Sequence, residues 1–310
     1  MGRSGTFTRA LLLLALILIV AQLALPQRLQ ATSTEGSSSR TWGLPGPQGP
    51  EGGAARRQLW FIPLPGERLV MHAVVLRPPG PGPFPLAVIN HGSAQSSAQR
   101  AIFSPSEYAN ASQWFLNHGF AVVLPLRPGH GETGGPYFED QGRCESVDYE
   151  KSGLATADSI QAAVDYLAAQ PFVKKSGMVV IGQSAGAWGA LALASRNPRA
   201  VRAVINFAGG RGGRIDDKPD NNCAPDRLIE AAGNFGSSAR IPTLWLYSKN
   251  DSYFAPGLSK RMYEVFSIAG GNAEYHLLQP FGSDGHSFID SNEASKLWAP
   301  IVEKFLAEHR

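Results

Sequence analysis

From residue 58 onward, short apolar runs alternate with stretches of helical period. Residues 59–64 and 69–76 read as two strands joined by the turn Pro65-Gly66-Glu67, a hairpin. Residues 86–90 form a third strand, continuous in apolar side chains, that runs straight into His91-Gly92-Ser93. Helical periodicity over 107–117 stops at His118-Gly119, a C-terminal cap signal, and a fourth strand follows at 120–124. The clearest amphipathic helix is 154–169: Ile160, Ala163, Val164 and Leu167 share one stripe, with Asp158, Gln161 and Asp165 off it. An apolar run at 178–181, too short for a helix, precedes an alanine- and leucine-rich helix ending at residue 196. Strands at 201–207, 243–247 and 274–278 follow, with a helix at 257–268 between the last two and a closing helix at 292–309. A hairpin followed by alternating strands and helices predicts an α/β fold, a mostly parallel eight-stranded sheet flanked by helices. Residues 209–240 break the alternation and read as an insertion, and 129–153 is long and rich in turn residues.

The start of the chain has a different character. Arg3 and Arg9 precede an apolar run over 10–25, interrupted only by Gln22, and Ser/Thr/Gly-rich sequence follows. That order defines a secretory signal peptide over residues 1–31 and an expected location outside the cell or in the periplasm. The alternative is an N-terminal membrane anchor, for which the run falls short of the ~20 residues a spanning helix needs. Residues 32–57 read as a Pro/Gly-rich linker, since three collagen-like triplets from Gly43 cannot sustain a triple helix. Residues 58–310 then form one folded domain.

Composition narrows the partners. A net charge of +3 over 310 residues, with 17% charged residues, argues against nucleic acid, and Arg211-Gly212-Gly213-Arg214 is a single RGG-like copy within globular sequence. Export changes the reading of Cys144 and Cys223: in an oxidising compartment they are expected to form a disulfide. Closing a loop of about 80 residues would contribute roughly 4.5 kcal/mol in the chain-entropy model. Two cysteines without a histidine cluster make no zinc site, so neither metal nor organic cofactor is expected.

The candidate chemistry centres on Gly182-Gln183-Ser184-Ala185-Gly186, placed between a strand and a helix. A serine on that turn is a nucleophile elbow, and the amide of Ala185, at a helix N-terminus, is placed to donate to an oxyanion. In a parallel sheet the sites assemble beyond the strand carboxyl ends. Asp251 lies just past the 243–247 strand and His286 past the 274–278 strand, so serine, acid and histidine follow in the order of a catalytic triad. Rivals remain: Asp284 or the Asp216-Asp217 pair as the acid, and His130 or, less favoured, His276 as the base. His91 reads as a turn-shaping residue.

Together, His91-Gly92-Ser93, the Ser184 pentapeptide, Asp251 and His286 make residues 58–310 resemble the α/β-hydrolase superfamily, nearest in style to dienelactone-hydrolase-like and prolyl-oligopeptidase-like serine hydrolases. The resemblance implies an oxyanion hole from the Ser93 and Ala185 amides, and catalysis by Ser184, Asp251 and His286 on a small-molecule ester. Serine stands at the elbow where dienelactone hydrolases proper hold cysteine, which shifts the expectation toward esterase or peptidase chemistry. An amidase on the same triad is the alternative, and a non-catalytic binding module on a tether a third. Residues 129–153 and 209–239 should overhang the site, tied by Cys144 and Cys223, with Tyr137, Phe138, Trp188, Phe235 and Tyr253 as candidates for an aromatic pocket.

Overall fold

The computed structural model describes residues 43–104 and 108–310. The signal segment, residues 32–42 of the linker and the first residue of the 107–117 helix lie outside the described residues. Within them, nine strands form one sheet. They are β1 (Gly46–Gly52), β2 (Arg57–Pro63), β3 (Val70–Leu76), β4 (Leu86–Asn90), β5 (Ala121–Pro125), β6 (Met178–Gln183), β7 (Val201–Phe207), β8 (Thr243–Ser248) and β9 (Ala273–Leu278). The helices are α1 (Ser97–Ala101), α2 (Ala109–Asn117), α3 (Tyr149–Ala168), α4 (Ala185–Ala194), α5 (Pro225–Ser238), α6 (Pro256–Ile268) and α7 (Asn292–Glu308).

The strands are ordered β1-β2-β3-β5-β4-β6-β7-β8-β9. The first three and β5 pair antiparallel, and everything from β5 through β4 to β9 is parallel. Strands β4, β5 and β6 are buried at every residue, which is why they read as unbroken apolar runs rather than as alternation. From β4 the chain crosses one way to β5, then back over β4 to β6, and continues outward in that direction. Right-handed crossovers therefore carry α2 to one face of the sheet and α3 to α6 to the other. The packing follows this division: α2 meets α7, while α3 packs on α4 and α5 on α6. The reversal leaves a crevice beyond the carboxyl ends of the neighbouring strands β4 and β6, where ligands bind in such sheets.

Two expectations are corrected. The linker reading of 32–57 fails at Gly46–Gly52, which pairs antiparallel with β2, Gly46 opposite Phe61 and Pro47 opposite Trp60, and makes the sheet nine-stranded. An edge strand held by backbone pairing carries no apolar alternation, and Pro47 and Pro50 are tolerated there because an edge has N–H positions that need no partner strand. The insertion reading of 209–240 is too broad. Its second half is α5, the ordinary crossover between β7 and β8, with Pro225 opening it and Leu228, Ile229, Ala232 and Phe235 buried along one stripe. Helix α3 also starts earlier than its apolar stripe, at a cap where the Asp148 carboxylate accepts from Lys151 N at 2.8 Å.

Candidate active site

Strand β6 ends at Gln183 and α4 begins at Ala185, leaving Ser184 alone in the turn. Its backbone sits at φ 53° and ψ −119°, a region that costs a non-glycine residue about 1–3 kcal/mol. The surroundings hold it there. Ser184 N donates to Phe207 O at 3.0 Å, and Ser184 O accepts from Trp188 N at 3.0 Å and Gly210 N at 3.3 Å. The flanking glycines are sterically required: a Cβ at Gly182 would stand 2.3 Å from Ala187 N, and one at Gly186 2.3 Å from Asn90 O. The start of α4 thus lies against the end of β4. Ser93, Ser184 and Ala185 line one cleft of about 420 Å³. Among the described residues, neither the Ser93 nor the Ala185 amide has a hydrogen-bond acceptor.

Asp251 and His286 meet beyond β8 and β9. The His286 Nδ1 lies 3.0 Å from Asp251 Oδ1, with both side chains buried. The same oxygen accepts from the amides of Tyr253 at 2.8 Å and Phe254 at 3.0 Å, which fixes the carboxylate. A carboxylate only accepts, so Nδ1 carries the ring proton and Nε2 presents its lone pair. The Tyr253 ring stacks on the imidazole, centroids 4.0 Å apart and 22° between planes. His286 shares with Ser184, Gly92 and Ser93 a second cleft of about 320 Å³. Among the described residues no hydrogen bond joins Ser184 Oγ to the His286 ring; such bonds are often long before substrate binds.

The rival residues are engaged elsewhere. Asp284 caps the turn that carries His286: its carboxylate accepts from His286 N at 3.0 Å and from Ser252 Oγ at 2.5 Å, and does not touch the imidazole. Asp217 pairs with Arg214 at 2.8 Å. His276 pairs with Glu274 on β9 at 2.5 Å. His91 is buried, with Nδ1 on Gly92 O at 2.6 Å and Nε2 accepting from Arg127 N at 3.1 Å, and burial pushes its pKa well below the ordinary range. Gln183, in a variable position of the pentapeptide, ties the loops together. Its Nε2 donates to His286 O at 3.2 Å, and its Oε1 accepts from Tyr108 OH at 3.3 Å, whose oxygen accepts from Gly92 N at 3.1 Å.

Of the aromatic candidates, Tyr137 and Tyr253 line the cleft together with Phe254. The others are corrected. Trp188 and Phe235 pack on each other in the core, centroids 5.0 Å apart, because α5 folds back on α4. Phe138 turns outward to a separate groove along α3. Cys144 and Cys223 form a disulfide, with Cα atoms 5.3 Å apart, and both line the cleft beside Ser184. With a sequence separation of 79, its loss should destabilise the fold by roughly 4.5 kcal/mol. A Cys144→Ser/Cys223→Ser protein is therefore expected to melt roughly 9–18 °C lower in calorimetry, and an unchanged melting temperature would remove the stapling role.

Sequence reasoning missed a buried ionic cluster behind Ser93. Arg127, just past β5, Glu139, before α3, and Arg211, past β7, have side chains at most 4% exposed. Arg127 Nε donates to Glu139 Oε1, and Arg211 Nη2 to Glu139 Oε2 at 2.5 Å. Burial alone would raise the Glu139 pKa, but the two guanidiniums outweigh it and hold it at about 2. His130, also buried, is lowered to about 4 by burial and the nearby Arg127. Among the described residues no cluster of histidine, cysteine and carboxylate side chains could hold a metal ion.

The sheet, its crevice and the elbow are those of an α/β-hydrolase. An esterase from Pyrococcus furiosus aligns with 86% of this chain and 99% of its own at 16% identity and a TM-score of 0.60. Est1E from Butyrivibrio proteoclasticus aligns with 81% and 98% at 17% identity and 0.52. Pyrococcus horikoshii acylaminoacyl peptidase aligns with 82% of this chain but 41% of its own, at 14% identity and 0.60. No curated protein matches by sequence. The model of the dienelactone hydrolase family matches residues 77–305, and the chain belongs to that family. It is thus a hydrolase of the dienelactone hydrolase type, with a small-molecule substrate.

Proposed function

We propose that this protein is an exported serine hydrolase that cleaves carboxylic esters. The observation that carries the reading is the strained Ser184 elbow beside the Asp251–His286 pair, bonded at 3.0 Å. Ser184 Oγ attacks the ester carbonyl as His286 Nε2 takes its proton, and Asp251 holds the Nδ1 proton and balances the imidazolium. The Ser93 and Ala185 amides receive the oxyanion of the tetrahedral intermediate. Collapse expels the alkoxide, which takes the proton from His286 and leaves an acyl-serine. Water, deprotonated by His286, then hydrolyses that acyl-enzyme and restores Ser184. Export is supported by the basic and apolar start of the chain and by the disulfide, which persists in oxidising compartments.

An amidase or peptidase reading of the same triad draws support from the acylaminoacyl peptidase among the similar folds. A fluorophosphonate probe is expected to label the wild type and not Ser184→Ala. A panel of aryl and alkyl esters should turn over faster than the matching amides. Labelling that persists in Ser184→Ala removes the elbow assignment, and amide cleavage without ester cleavage replaces the first reading by the second. A protein that neither labels nor turns over would be the binding module instead.

A further inference from the structure

Behind the Ser93 half of the cleft, the hydrogen-bond directions are forced. A guanidinium only donates, so Arg211 Nη1, 2.9 Å away, gives its proton to Tyr137 OH. His130 Nδ1 faces only carbonyl oxygens, Arg127 O at 3.2 Å and Pro128 O at 3.1 Å, so it carries the ring proton. With that ring neutral at ordinary pH, His130 Nε2 is a bare acceptor. Ser93 Oγ lies 2.9 Å from it, 3.0 Å from Tyr137 OH and 3.4 Å from Ala94 O, so its one proton goes to the much nearer His130 nitrogen. The chain therefore runs in one direction: Arg211 to Tyr137, Tyr137 to Ser93, Ser93 to His130. The members come from three loops, those after β4 and β7 and the β5–α3 loop that holds both His130 and Tyr137, and Ser93 is clamped on both sides while its backbone amide is left without an acceptor among the described residues.

The source of the chain is itself fixed. Arg211 Nη2 is held by Glu139 at 2.5 Å and donates to Thr156 Oγ1 at 3.0 Å. Burial would lower its pKa, but Tyr137 and Glu139 outweigh that and raise it, so the cation persists. Arg127 and Arg211 share the single carboxylate of Glu139, so among the described residues this cluster holds one positive charge more than negative. Arg211 lines the same cleft as Ser184, so a developing oxyanion would supply the missing negative charge.

We infer that Tyr137 is a positioning residue for the oxyanion hole: it links the buried Arg211 cation to the Ser93 side chain and thereby fixes the Ser93 amide toward the reacting carbonyl. This inference rests on the serine-hydrolase reading above. It assigns the 129–153 loop a part in the chemistry, as well as in walling the cleft.

Tyr137→Phe removes one oxygen and keeps the ring, over which the Arg100 guanidinium sits at 3.9 Å. Loosening one oxyanion donor is expected to lower kcat about tenfold, less than deleting it, with KM and melting temperature essentially unchanged. Affinity for an aryl boronic acid, a tetrahedral-intermediate mimic, should fall by the same factor. Ser93→Ala, which breaks the chain at the next atom, should behave alike, and the double variant should lose no more than either single one. Wild-type kcat in Tyr137→Phe, additive losses in the double variant, or a loss confined to KM or melting temperature would overturn the inference alone. A wild type that neither labels with fluorophosphonate nor hydrolyses esters would overturn both this inference and the reading it rests on.

Discussion

His286→Ala is expected to lower ester turnover by roughly 10⁶-fold and Asp251→Ala by roughly 10⁴-fold, whereas Asp284→Asn should cost less than about tenfold. The ordering follows from what each carboxylate holds. Asp251 Oδ1 accepts from the His286 ring and two amides, so removing it frees the imidazole and withdraws the charge opposite a forming imidazolium. Asp284 binds the His286 backbone and Ser252, contacts that an asparagine oxygen can largely keep. The base survives in Asp251→Ala, still stacked under Tyr253, which is why that loss is smaller than for His286→Ala. Steady-state kinetics, normalised to the fraction of sites that burst, measures all three. Equal losses for Asp284→Asn and Asp251→Ala would move the acid to the turn.

What was legible in the sequence was whatever lies along one strand or directly beyond its end. β4 and β7 were read to the residue because buried parallel strands are short, mainly apolar runs bounded by turns, β7 holding only Arg202 and Asn206 as polar side chains. The placing of Ser184, Asp251 and His286 on one edge of the sheet was legible for a related reason, since they follow the ends of β6, β8 and β9 by one, three and eight residues and parallel strands deliver their ends to one side. β1 was not legible, because an edge strand is specified by its partner's backbone and not by its own side chains. α5 was written in the spacing of Leu228, Ile229, Ala232 and Phe235, but the Gly- and Asp-rich run before it hid the stripe. The cluster of Arg127, Glu139 and Arg211 was the least legible. Its members stand 12 and 72 residues apart on three loops, and nothing local marks a charged residue as buried.

That cluster also sets how the protein responds to acid. Glu139→Gln would leave two buried guanidiniums without a carboxylate, a loss of about 3–5 kcal/mol that lowers the melting temperature at pH 7 by roughly 6–20 °C. The Glu139 pKa is depressed from 4.5 to about 2 on folding. Its contribution is therefore complete above pH 4.5 and disappears as pH falls through 2, about 3 kcal/mol in all. His130, depressed from 6.5 to about 4, acts earlier. The unfolded chain takes up that proton first, so stability is full above pH 6.5 and falls by about another 3 kcal/mol by pH 4. Denaturant titrations of the wild type should thus lose stability in two overlapping steps between pH 6.5 and 2. Glu139→Gln should retain the first step and lack the second. The gap between the two proteins is then widest above pH 4.5 and closes toward pH 2, because protonating Glu139 does to the wild type what the substitution has already done. A gap that stayed constant down to pH 2 would mean that Glu139 is not the counter-charge of Arg127 and Arg211, and the chain from Arg211 to Ser93 would lose its anchor.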